Sequence, residues 1–222
     1  MQIAEEIEKG GVTAGTAFKD AITYMVAKFG LSRIIETGTY HGTGTTDAII
    51  KGIQAHGQFP VAFVSIEVND QNFRIALKNT AMKPVYIIRG LSIPRSLLPP
   101  KESIRFDDYP ESAIVDHQQE NRAELYYNET DTTFPDNLLD QALEYTDYKP
   151  ELVVLDSAGH IGTIEWEYLM AKIKGSCYLA LDDTNHVKHL KTVEQIQTDS
   201  RYTLVFDTQE KFGSRIYQFT ND

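Results

Sequence analysis

Five short, nearly unbroken apolar runs, separated by helical stretches, constrain this chain more than any other feature. SRIIET (32–37), VAFVSIE (61–67), VYIIRG (85–90), ELVVLD (151–156) and CYLALDD (177–183) lack the strict alternation of strands with one wet face. Such runs belong to strands buried on both sides. Between them, 43–55, 70–81 and 163–174 read as helices. The pattern predicts an α/β fold with a doubly wound, mostly parallel sheet covered by helices on both faces. Ahead of the first run, Phe18, Ile22, Met25, Val26 and Phe29 recur at helical spacing and Gly30 ends the pattern, which predicts a helix over 14–29.

The C-terminus departs from this alternation. YTLVFDT (202–208) and RIYQFT (215–220) are joined by a short link that contains Gly213, so an antiparallel hairpin is expected at the sheet edge with Gly213 at positive φ. About 60 residues separate Gly90 from Glu151, far more than a strand-to-strand crossover needs. FPDNLLDQALEY (134–145) reads as the crossover helix, with Pro135 near its first turn. That leaves 93–133 as an insertion with a helix over 112–127. The expectation is one domain over 1–222, with 1–30 as an N-terminal helical extension.

The net charge is -11, and its distribution is uneven. Residues 101–148 hold 13 acidic and three basic side chains, whereas the rest of the chain holds 19 and 18. Nucleic-acid binding is disfavoured, because that affinity comes from Lys and Arg displacing counterions. Glu5, Glu6 and Glu8 interrupt the N-terminus, so no signal peptide and no membrane span are expected. A single cysteine, Cys177, excludes an internal disulfide framework and suits a reducing, cytoplasmic setting.

The densest motif is IIETGTYHGTGTT (34–46), a glycine-rich turn that follows the first strand and opens a helix. Gly38, Gly42 and Gly44 fall where the backbone turns sharply and approaches a ligand, and N–H groups at the helix start face polar ligand atoms. Glu67 closes the second strand, where doubly wound sheets use a carboxylate to accept hydrogen bonds from ribose hydroxyls.

E-T-G-T-Y-H-G-T-G (36–44), with Glu67 ending the next strand, resembles the first motif (D/E)-x-G-x-x-x-G of the class I S-adenosylmethionine-dependent methyltransferases. The resemblance covers 31–92 and 134–220. It implies a seven-stranded sheet whose last two strands form a hairpin that inserts one strand antiparallel. It also implies S-adenosylmethionine as cofactor and a small-molecule acceptor, with an O-methyltransferase for a sugar or secondary-metabolite hydroxyl as the nearest type. By that resemblance Glu36, Thr37, Gly38, Tyr40, Gly42, Thr43 and Gly44 line the methionine part of the cofactor. Glu67, with Val68 and Asn69 beside it, takes the ribose; Gly90, Leu91 and Ser92 meet adenine; Asp156 faces the transferred methyl. An NAD(P)-dependent oxidoreductase is one alternative, though the spacing here is G-x-x-x-G-x-G instead of G-x-G-x-x-G. A non-catalytic cofactor-binding module is the other.

Asp156 ends the fourth run, and Asp182 and Asp183 end the fifth. Adjacent parallel strands finish about 5 Å apart, so these carboxylates can converge on one hard cation. Resemblance to the catechol-type and macrolide-sugar-type O-methyltransferases implies Mg2+ there, binding the acceptor hydroxyl and lowering its pKa; otherwise the aspartates cap the next helix and face water. His160, four residues beyond Asp156, is a candidate general base. Asp183 and His186 complete the catalytic candidates. His186 and His189 read as helix neighbours, His189 on the solvent side, and His41 borders the cofactor. The insertion is placed to act as a lid, with Tyr109, Tyr126, Tyr127 and Phe134 against a small substrate, or as the seam of a homodimer.

Overall fold

A computed structural model describes residues 15–100, 110–113, 135–157 and 161–221. In chain order the elements are α1 (Ala17–Phe29), β1 (Arg33–Thr37), α2 (Thr45–His56), β2 (Ala62–Glu67), α3 (Asp70–Asn79), β3 (Tyr86–Arg89), α4 (Leu138–Tyr145), β4 (Leu152–Leu155), α5 (Gly162–Met170), β5 (Cys177–Asp182), α6 (Leu190–Ile196), β6 (Tyr202–Thr208) and β7 (Ser214–Phe219). Every predicted strand lies within one residue of its expected ends. The Thr16 side chain caps α1 by accepting from Lys19 N, and Gly30 ends it in the left-handed conformation.

The seven strands run β3-β2-β1-β4-β5-β7-β6. The first five in that order pair in parallel, and β7 enters antiparallel between β5 and β6. Strand residues alternate between two apolar layers, which is why the runs carry no polar face. Ile35, Val153, Leu155, Leu179 and Leu181 pack under α4, α5 and α6. Ile34, Leu152, Val154 and Ala180 pack under α1 and α2. The chain moves outward from β1 to β3 on one side and from β4 to β6 on the other. A crevice therefore opens above the carboxyl ends of β1 and β4, where the strand order reverses.

Two helices differ most in their bounds from the sequence expectation. α4 starts at Leu138, because 135–137 runs beside 91–93 instead of winding: Leu91 N donates to Pro135 O (3.1 Å) and Asn137 N to Ile93 O (3.0 Å). Pro135 thus precedes the helix. α5 stops at Met170, and the chain turns so that Lys174 N donates to Tyr148 O (2.8 Å). The expected helix over 112–127 lies outside the described residues apart from 112–113, which belong to a 3-10 turn at Glu111–Ala113. Among the described residues, no helix is long and apolar enough to cross a membrane.

Candidate functional site

A cleft of about 520 Å³ opens at the carboxyl ends of the parallel strands. Its floor is set by the turn after β1. Gly38 has φ 81, and a Cβ there would sit 2.1 Å from the carbonyl oxygen of Asp156, so only glycine lets β1 and β4 end this close together. Gly42 serves a different contact: its φ is 70, and a Cβ would lie 2.9 Å from Thr80 Cγ2.

Two buried carboxylates hold this floor from behind. Glu36 accepts from Thr45 Oγ1 (2.5 Å), Thr46 Oγ1 (2.7 Å) and Ser65 Oγ (2.6 Å), which ties β1 to the start of α2 and to β2. Glu165, on α5, accepts from Thr37 Oγ1 (3.0 Å), Ser157 Oγ (2.7 Å) and Ser92 Oγ, which links the ends of β1, β4 and β3. Burial raises the pKa of both carboxyls, and the hydroxyl donors work against that rise. Glu165 is a support that the sequence reading missed.

Above the floor, Glu67 faces the cleft with its carboxylate fixed by backbone donors: Tyr40 N to Oε2 (2.6 Å) and Asn69 N to Oε1 (2.8 Å). Tyr40, at φ 51, stacks its ring on His41 with centroids 3.8 Å apart. The far wall comes from the start of α1 and the link between β6 and β7. Thr16, Phe18 and Lys19 meet Thr208, Glu210 and Lys211, and Ala17 N donates to Glu210 Oε2 (3.0 Å).

Eleven of the sequence candidates line the cleft: Gly38, Tyr40, Gly44, Glu67, Val68, Gly90, Leu91, Ser92, Asp156, Asp182 and Asp183. Others are elsewhere. Glu36 and Thr37 are fully buried behind the wall, Gly42 packs on Thr80, and Thr43 is exposed to one side. His160 lies outside the described residues. His186 and His189 are not on a helix, because Thr184 N and Asn185 N donate to Gly213 O (2.9 Å) and Phe212 O (2.8 Å), which holds the chain in turns until α6 begins. His186 is buried away from the cleft wall, with Nδ1 accepting from Lys188 N (3.3 Å). His189, expected to face solvent, is fully buried with Nε2 3.1 Å from Leu155 O. Burial and the Lys188 charge lower its pKa to about 3.

Asp156, Asp182 and Asp183 each bring a carboxylate oxygen within 4.8 Å of the others, a hard-oxygen set of the kind Mg2+ prefers. The sequence reading gave no role to Lys188, whose side chain is 5% exposed and whose Nζ lies 2.8 Å from Asp156 Oδ1 and 2.9 Å from Asp183 Oδ2. Asp182 Oδ1 accepts from Ser214 Oγ (2.6 Å) and Asp183 N (3.1 Å). The donor chemistry suits a divalent ion, but an ammonium already bridges two of the three carboxylates, so the residues as arranged do not fit one. Burial pushes the Asp156 carboxyl up to about 7, against the pull of Lys188 and with the added push of Asp182 and Asp183. Burial alone would lower the Lys188 ammonium, but Asp156, Asp183 and Asp182 outweigh it and hold the group above the ordinary lysine value.

Comparison with known proteins finds similarity in structure only. No family model matches the sequence, and neither does any curated protein. An O-methyltransferase from Bacillus cereus, solved with S-adenosylhomocysteine, superposes with a TM-score of 0.57 at 14% identity, over 99% of this chain and 91% of that one. A Podospora anserina methyltransferase with S-adenosylhomocysteine bound gives 0.54 at 11% identity, over 99% and 87%. The Streptomyces achromogenes O-methyltransferase TomG, involved in tomaymycin synthesis and solved with S-adenosylmethionine, gives 0.54 at 11%, over 99% and 87%. What these proteins share with this chain is the fold.

Proposed function

We propose that this chain, which has the class I S-adenosylmethionine-dependent methyltransferase fold, transfers a methyl group from S-adenosylmethionine to the hydroxyl of a small molecule. The observation that carries the reading is Glu67, a carboxylate in the cleft wall at the end of β2, gripped by Tyr40 N and Asn69 N so that it faces ligand hydroxyls. Carboxylates so placed in doubly wound sheets accept from a ribose hydroxyl. The pyridine dinucleotides also carry ribose, but the glycine spacing from Gly38 to Gly44 departs from theirs.

The sulfonium of the cofactor supplies a methyl group that is already a strong electrophile, so the protein needs to align the acceptor and take its proton. Alignment is the task of a rigid floor, which Glu36 and Glu165 brace from behind. Gly90, Leu91 and Ser92 offer an apolar and hydroxyl-bearing wall for an adenine ring. Asp156 is the candidate proton acceptor: it lines the cleft and is steadied by Lys188. An acceptor from the sugar or secondary-metabolite hydroxyls suits the cleft's mixture of carboxylate and aliphatic walls.

Residues 110–113 support the lid assignment for the insertion. Ala113 is buried and its carbonyl accepts from Val187 N (2.9 Å), so this part of the insertion packs on the segment that carries Lys188. A cytoplasmic location agrees with the lone Cys177, whose buried thiol is pushed up to about 12.

Incubation with S-adenosylmethionine and a panel of phenols, catechols and hydroxylated glycosides, read by mass spectrometry, tests the activity. A product heavier by one methylene, formed with S-adenosylhomocysteine in equal amount, is expected. Cofactor binding without transfer to any acceptor class would move the protein to the non-catalytic reading.

A further inference from the structure

Lys188 is fastened from several sides before its ammonium reaches the cleft. Gly162 packs against it so closely that a Cβ there would lie 2.6 Å from the Lys188 carbonyl oxygen and 2.8 Å from its Cγ. The neighbouring backbone is held by Val187 N to Ala113 O (2.9 Å), and the neighbouring His189 ring lies 3.1 Å from Leu155 O. A lysine held in this way differs from the usual surface lysine, whose long stem moves freely. Its Nζ lies 2.8 Å from Asp156 and 2.9 Å from Asp183, within the acidic cluster that Asp182 completes.

From this geometry we infer that Lys188 is a built-in cation that takes the place of a divalent metal at the acceptor end of the cleft. A divalent ion coordinates carboxylate oxygens at about 2.0 to 2.6 Å. It would therefore compete with Nζ for Asp156 Oδ1 and Asp183 Oδ2. Two positive centres on one pair of oxygens repel each other. Lys188 cannot simply swing aside, because its stem lies against Gly162 and its side chain is 5% exposed.

The consequence for chemistry rests on the methyl-transfer reading. As an acceptor hydroxyl loses its proton to Asp156, negative charge grows on its oxygen. An ammonium has three N–H donors, of which one is given to Asp156 Oδ1, with Asp183 Oδ2 2.9 Å from the same nitrogen. A remaining N–H can meet that oxygen. Lys188 then does by hydrogen bonding and charge what a metal would do by coordination, and it stays protonated throughout, with the proton released to solvent from Asp156. Lys188 is thus a positioning residue for Asp156 and a candidate contact for the acceptor.

The experiment is Mn2+ binding followed by electron paramagnetic resonance on the full-length protein, with S-adenosylhomocysteine calorimetry on the same samples. Wild type should leave the signal of free Mn2+ unchanged. Lys188→Met, which keeps the stem and removes the charge, should take up one equivalent. Lys188→Gln is the second variant should the first not fold, and is expected to do the same. Stoichiometric Mn2+ uptake by wild type would overturn the inference, even if neither variant folds. Failure of a folded variant to gain binding would also overturn it, since the lysine would then not be what keeps the ion out. If the Mn2+ results stand while wild type binds no S-adenosylhomocysteine, the methyl-transfer reading falls and the assignment of Lys188 as the resident cation survives.

Discussion

Replacing Glu165 separates its role as a hydrogen-bond acceptor from its charge. The side chain is fully buried on α5, and three hydroxyls, from Thr37, Ser92 and Ser157, converge on its two oxygens. In Glu165→Ala all three lose their acceptor. A buried polar group left unmade costs about 1–3 kcal/mol, so the upper bound is several such terms. Removing the carboxylate also removes its own burial penalty, and water entering the void meets some of the hydroxyls. About 3–4 kcal/mol of lost stability is therefore expected. For a chain of this length, that corresponds to a fall in Tm of about 10 °C. Glu165→Gln keeps an oxygen for Ser92 and Ser157, and the Thr37 hydroxyl can rotate to accept from the new amide.

Its effect should stay below about 1 kcal/mol at neutral pH. The two variants also differ with pH. Burial raises the Glu165 pKa above 4.5, so its contribution to stability is complete below that value and is lost as pH rises through the folded-state value. The glutamine variant mimics the protonated form and should lack this portion of the pH dependence. Urea denaturation followed by circular dichroism at pH 5 and pH 8 measures both effects. If Gln proves as damaging as Ala, the hydroxyl network is not what Glu165 contributes.

Three further outcomes follow from the same geometry. Gly38→Ala would place a Cβ 2.1 Å from Asp156 O at φ 81, so it should abolish S-adenosylhomocysteine binding in calorimetry and leave little soluble protein; a normally behaved variant would show that β1 and β4 tolerate separation. Burial and the neighbouring Lys188 charge depress the His189 pKa to about 3, so its stabilising contribution is complete above the ordinary value of 6.5 and is lost as pH falls toward 3. The slope should approach about 1.4 kcal/mol per pH unit in denaturation curves, and His189→Gln should remove it. Cys177, buried and with its thiol pushed up to about 12, should resist a thiol-specific reagent in the native protein and react with one equivalent after unfolding; rapid native labelling would contradict its placement.

Strand positions were legible because burial on both faces leaves a direct mark: Leu152–Leu155 and Cys177–Asp182 stand out as apolar runs whatever surrounds them. The hairpin was legible for a local reason too, since Gly213 alone in its link accepts φ 75 readily. Residues whose meaning depends on distant partners were not legible. Glu165 and Lys188 look like ordinary surface charges in IEWEYLM and HVKHL, and only the approach of three strand ends, or of two aspartates, gives them a role. The segment holding His186 and His189 reads as helical, but hydrogen bonds to Phe212 and Gly213 from a hairpin about 30 residues later hold it in turns. The glycine-rich motif was found, yet its glycines divide by function: Gly38 faces the cleft and the end of β4, whereas Gly42 serves packing against Thr80. Spacing alone carries no sign of that division.

The proposed function places the nucleoside of S-adenosylmethionine in the cleft beside Glu67. Calorimetric titration of S-adenosylhomocysteine into wild type and Glu67→Ala tests it most directly, with NAD+ as the competing ligand. Wild type should bind S-adenosylhomocysteine with one site per chain and ignore NAD+. Loss of hydrogen bonds to a charged acceptor costs about 1.5–3 kcal/mol, so the alanine variant should bind roughly 10- to 150-fold more weakly. No binding by wild type, equal binding by the variant, or a preference for NAD+ would contradict the account.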